Sequence, residues 1–234
     1  MNQLIAIAVV SSTLIGGTGP NAISTPAHPS DPMAQLVQST AAVKACLGRS
    51  YPSWSPEAEM QRSVVKRLIG GSMDYAEMSR RALGDHWSRL SREERSQFVA
   101  ELGRLIESRS LARGMYLGPD CQIHFDKEAV TTRGTASVFA TVLAEQKKKK
   151  TLRLAVEYRL LLKGDRWVVY DLVTDGKSLL ESYRAQFDKV ITRESFSALL
   201  QKIRQRADRG DPGLGGDGSE EIGDQKNAVA PPHE

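Results

Sequence analysis

Apolar and polar positions alternate with a strict period of two at Leu152, Leu154, Val156, Tyr158, Leu160 and Leu162, an eleven-residue run. Their intervening partners are Arg153, Ala155, Glu157, Arg159 and Leu161. Side chains on a strand point alternately to its two faces, so this run predicts an antiparallel strand covered on one side. Shorter alternations flank it. Cys121, Ile123 and Phe125 alternate with Gln122, His124 and Asp126, and Val138, Ala140 and Val142 alternate with Phe139, Thr141 and Leu143. Gly164-Asp165 turns the chain into a further strand, Trp167 to Val173.

Helical spacing precedes and follows these strands. Asp31-Pro32 and Ser55-Pro56 each place a capping side chain before a proline at the first helical position. Met33, Leu36, Val37, Val43 and Leu47 mark the first helix; Val64, Val65, Leu68 and Ile69 mark the second, which Gly70-Gly71 stop. Asp74 and Glu77 have capping-box spacing and open a short helix that ends at Leu83-Gly84. Ser91 and Glu94 form a standard box. They lead a long helix with Phe98, Leu102, Leu105 and Ile106 on one face, and Gly114 lies beyond it. After the strands, Leu179, Leu180, Tyr183, Phe187 and Val190 make another stripe. Thr192 is then expected to cap a last helix bearing Phe196, Leu199, Leu200 and Ile203. The order predicts an α+β fold, with N- and C-terminal helices on one face of a curved antiparallel sheet.

Composition changes this picture at both ends. Leu4 to Ile15 is mostly apolar, and small and polar residues follow to Ala27. The run is shorter than the ~20 residues a bilayer span needs. Residues 1–27 are therefore expected to be an export signal, although they contain no Lys or Arg, with the mature chain starting between Ile23 and Pro29. An anchored N-terminus is the rival reading. From Gly210 to Glu234 the chain is rich in Gly, Pro and Asp and is expected to be disordered. This tail carries six acids against one lysine. The chain is +4 overall and its first 27 residues are uncharged, so the intervening body, residues 28–209, stands at +9. A basic body is either a solvated surface of Lys- and Arg-rich helices or a face for an anionic membrane or an acidic protein; nucleic acid, a further option, is removed by export.

Candidate chemistry is sparse. His86 and Asp85 are adjacent on a helix and diverge. His124 and Asp126 share the polar side of a strand. No GxSxG, HExxH, P-loop or dinucleotide fingerprint occurs. Cys46 and Cys121 form no CxxC, and with four scattered His they do not suit zinc. They either pair as a disulfide in an oxidising compartment or act as small buried apolar groups. No catalytic residue, metal ligand or cofactor is expected.

Two stretches do carry a resemblance. DYAEMSRRALGDHW followed by the Ser-capped SREERSQF, and VEYRLLLKGDRWVVYDLVTDGKSLLESYRAQF, resemble the signatures of the MlaC or toluene-tolerance family across about Asp31 to Arg209. The link LGPDCQIHF, Lys177 after Asp175-Gly176 and the acidic tail depart from its usual pattern. The resemblance implies a periplasmic carrier of diacyl phospholipid. Its partners would be an inner-membrane ABC transporter complex with a lipid-binding receptor subunit, and an outer-membrane lipoprotein complex. It would shuttle lipid between them and so serve outer-membrane lipid asymmetry and solvent tolerance.

Such a carrier needs a dry cavity and no catalytic groups. Exposing the roughly 30 methylenes of two acyl tails to water costs on the order of 20 kcal/mol. Leu154, Val156, Tyr158 and Leu160 are the expected sheet wall, with Phe98, Leu102 and Leu105, or Tyr183 with Phe187, as opposing walls. Trp87 and Trp167 read as packing anchors. Tyr75, Tyr158, Tyr170 and Tyr183 can place hydroxyls at a cavity mouth. Lys147 to Lys150 reads as a solvated hairpin tip or a contact to anionic lipid. Two other classes stay open. A small isomerase or dehydratase would aim Glu157, Asp171 or His124 into the pocket, and a non-lipid envelope adaptor would need no cavity.

Overall fold

The computed structural model describes residues 31–112, 121–146 and 150–209. The expected export signal, the segment 113–120, the tip 147–149 and the acidic tail lie outside the described residues.

Capping chemistry sets the helix starts. α1 (Pro32–Leu47) begins where Asp31 accepts from the Met33 and Ala34 amides at 2.8 and 3.2 Å. α2 (Pro56–Gly71) begins where Ser55 Oγ accepts from the Ala58 amide at 3.1 Å. At α3 (Tyr75–Leu83) only half of the predicted box forms. Asp74 accepts from the Glu77 amide, but the Asp74 amide donates to the Val169 carbonyl. The Glu77 carboxylate turns instead to Arg80 and Arg81. A 3-10 turn (Gly84–Arg89) leads to α4 (Arg92–Ala112), where Ser91 and Glu94 exchange both bonds of the box, at 2.8 and 3.1 Å.

Five strands follow in consecutive antiparallel order: β1 (Cys121–Val130), β2 (Thr135–Gln146), β3 (Lys150–Lys163), β4 (Arg166–Thr174) and the short β5 (Lys177–Ser178). The register sets Val142 opposite Leu154, Ala140 opposite Val156 and Val138 opposite Tyr158, so the predicted apolar faces of β2 and β3 coincide. Asp175 and Gly176, both at positive φ, make the tight turn into β5. Arg159 pairs with Asp171 while Leu160 pairs with Val169, leaving Tyr170 as the extra residue of a bulge. Tyr170 packs against the helical core.

α5 (Leu179–Arg193) and α6 (Phe196–Arg209) complete the α+β fold. The cap of α6 is Ser195, which accepts from the Ala198 amide at 3.1 Å, and not Thr192. Thr192 lies inside α5, whose helical phase runs on to Arg193 and breaks at Glu194 (φ −126°, ψ −88°).

The helices reach the sheet in two ways. α1 lies on its apolar face, where Leu36 packs with Ala136, Val138, Leu160, Trp167 and Val169. Gln35 clasps the Trp167 main chain with both ends of its amide. α3 to α6 form a separate core, joined to β4 through Tyr170 and through Met73, which bridges Val169 at the sheet's edge.

Candidate functional site

The alternating strand does not bury its apolar face evenly. Leu160 is fully buried beneath α1. Further along β3, Val156 joins Cys121 and Val142, flanked by half-buried Ile123, Leu154, Tyr158 and Leu172. Every apolar member of this second cluster comes from a strand, and Lys44 of α1 lies near enough to act on the Cys121 thiol. The stretch from Leu152 to Tyr158, half-buried at Leu152, Leu154 and Tyr158 and buried at Val156, extends about 20 Å at ~3.3 Å per residue. That slightly exceeds the ~15 Å depth of one leaflet's tails. Cys121 and Cys46 are both free thiols, and burial raises the pKa of Cys121.

The expected opposing walls lie elsewhere. Phe98, Leu102, Leu105, Tyr183 and Phe187 are all buried in the core of α3 to α6, against one another. Tyr183 stacks on Phe187 at 5.1 Å, and Phe98 meets Phe187 edge-on at 5.6 Å. The structure brings Leu154, Val156 and Tyr158 together and sets Leu160 beside them under α1. It does not bring the five helix residues to that wall. Trp167 is a packing anchor under α1, and Trp87 carries the Arg95 guanidinium 5.3 Å over its ring.

The signature stretches, rich in aromatic and aliphatic residues, meet on a polar surface instead. Their junction is a pocket of about 460 Å³ walled by Arg80 and Arg81 of α3, Arg159 of β3 and Arg184 of α5. The Arg81 guanidinium lies 4.1 Å over the Tyr170 ring. Gly84 sits at φ +53°, and a Cβ there would come within 2.9 Å of the Arg184 guanidinium. The positive φ is what favours glycine here, since the Arg184 side chain could shift to make room. His86 pairs with Asp188 of α5 at 2.8 Å, not with its neighbour Asp85. The Arg residues of SRRALGD and ESYR were the available signal for this pocket. Only the contact of α3 with α5 turns them into a site.

Asp171 anchors the junction. It is 2% exposed and accepts from the Leu172 and Leu180 amides at 2.9 and 3.1 Å, Ser178 Oγ at 2.7 Å and Arg159 Nη1 at 3.2 Å. A carboxylate with four donors is spoken for as a structural acceptor, not as a free general base. Asp171→Asn replaces one acceptor oxygen with a donor that faces other donors. The expected loss is about 2–4 kcal/mol of stability in denaturant melts. Glu157 is likewise engaged, with Ser137 and Arg159. His124 and Asp126 both lie exposed on β1.

The fold and site together define an α+β protein whose antiparallel sheet carries an apolar face with half-buried flanks. The chain belongs to the MlaC family, whose model, described as MlaC protein, matches residues 38–205. It is 25% identical over 147 residues to the intermembrane phospholipid transport system binding protein MlaC of Haemophilus influenzae, covering 62% of this chain and 68% of that one. It shares its fold with the phospholipid-binding protein from Ralstonia solanacearum, solved in complex with a phospholipid. The TM-score is 0.63 at 21% identity, over 77% of this chain and 99% of the other.

Proposed function

We propose that this chain is a periplasmic phospholipid carrier that holds the acyl tails of one diacyl lipid against the sheet face around Leu154, Val156 and Tyr158. The observation that carries this reading is the all-strand apolar cluster with half-buried flanks. Cys121, Val142 and Val156 are buried, while the flanks Ile123, Leu154, Tyr158 and Leu172 are only part-buried, and it is along these flanks that a lipid tail would add cover. Membership of the MlaC family and the phospholipid in the Ralstonia solanacearum structure support it. The name of the Haemophilus influenzae relative supports a place in transport between membranes. The carrier would load and unload at an inner-membrane ABC transporter complex and an outer-membrane lipoprotein complex. Binding is the chemistry of this reading, without turnover and without a cofactor.

Native mass spectrometry of protein purified from a periplasmic fraction tests this. One diacyl phospholipid mass per chain is expected. Protein that arrives without lipid and takes none from phosphatidylethanolamine–phosphatidylglycerol vesicles overturns it. Recovery of the chain only in the membrane fraction overturns the periplasmic part.

A further inference from the structure

The arginine-walled pocket between α3, α5 and β4 is not used by acyl tails held on the sheet's apolar face. Its hydrogen bonding is lopsided. Each guanidinium offers five N–H donors. Among the described residues, Arg80 and Arg159 each spend two on carboxylates, Arg81 spends one and Arg184 spends none. Two neighbouring carboxylates are already engaged. Asp171 holds four donors, and Glu77 is shared by Arg80 and Arg81. Asp85 and Glu181 stand exposed on the pocket lining and offset much of the local charge. The pocket is therefore rich in unspent forked donors without being strongly charged. That chemistry suits carboxylates, which guanidinium recognises through paired N–H bonds.

We propose that the occupant is the chain's own acidic segment, Gly210–Glu234. It carries six acids, four of them between Asp217 and Asp224, and it follows a body of opposite net charge. The acids from Asp217 to Asp224 follow Arg209 by 8 to 15 residues, a distance over which a flexible Gly-rich linker would reach about 14–23 Å, comparable with the ~16 Å radius of gyration expected for a body of this size. Exposed guanidinium–carboxylate pairs are individually weak, so an occupant free in solution would fill the pocket poorly. A tethered segment meets it at an effective concentration of about millimolar. A tail seated there must leave before another acidic surface uses the same arginines.

The test is ¹⁵N NMR on the full chain, comparing it with the full-length variant Asp217→Asn/Glu220→Gln/Glu221→Gln/Asp224→Asn. Neutralising the tail is expected to shift the Arg184 and Arg81 Nε–Hε resonances and the Gly84 and Glu181 amides. The difference should fall at least threefold between about 50 mM and 0.5 M salt, as the screening length shortens. It should vanish in an Arg184→Gln background and stay constant on tenfold dilution. Unmoved pocket resonances, or shifts confined to other basic surfaces such as α2, overturn the proposal. So does a difference that grows with protein concentration, because a second copy then supplies the tail.

Discussion

Val156→Trp is expected to cut bound phospholipid at least tenfold while the protein still folds. Val156 sits mid-wall, with Cys121 and Val142 beside it and half-buried Leu154, Tyr158, Ile123 and Leu172 around it. An indole added there grows over the face that an acyl tail would cover. Displacing even two methylenes costs about 1.6 kcal/mol at ~0.8 each, which is more than tenfold in affinity. Val156 is itself buried, but overpacking costs only ~1–3 kcal/mol, less than the roughly 5–15 kcal/mol by which a domain is usually stable, so the protein should still fold. Lipid per chain from native mass spectrometry, read with a thermal melt, separates the outcomes. If Val156→Trp unfolds the protein, or leaves lipid content as it was, this face is ordinary core. The acyl site must then be sought elsewhere.

The strand run from Leu152 to Leu162 was legible because a period of two leaves one assignment of faces, and the register with β2 bears it out. Helix starts were legible wherever a capping side chain and its partner stand three residues apart, as at Ser91 and Glu94. Thr192 misled because a hydroxyl in the last turn of one helix looks, in sequence, like the cap of the next. Ser195 is the better site because the chain first leaves helical geometry at Glu194. The bulge at Tyr170 carries no glycine or proline to announce it. The helix stripes were read correctly as buried faces, but a stripe does not say what buries it. Phe98 and Leu102 fit a sheet or another helix equally well, and long-range packing chose the helices. The arginine pocket was hidden for the same reason. Its residues lie up to about a hundred positions apart, and α3 meets α5 only in the folded chain.

That separation of two cores gives the second large effect. Phe187→Ala is expected to destabilise the protein by about 3–5 kcal/mol, the usual range for emptying a buried phenylalanine site. Phe187 is fully buried, stacked on Tyr183 and meeting Phe98 edge-on, so the change also removes two ring–ring contacts. For a domain of this size each kcal/mol moves Tm by roughly 2–4 °C, which puts the shift at about 6–20 °C. Lipid per folded molecule should stay near the wild-type value, because the cavity opens among α3 to α6 and not along β3. Melting curves and native mass spectra from the same preparation decide between the two roles. A variant that keeps its Tm but loses its lipid would make Phe187 part of the acyl wall. The helical bundle, and not the sheet, would then be the place where this chain holds its cargo.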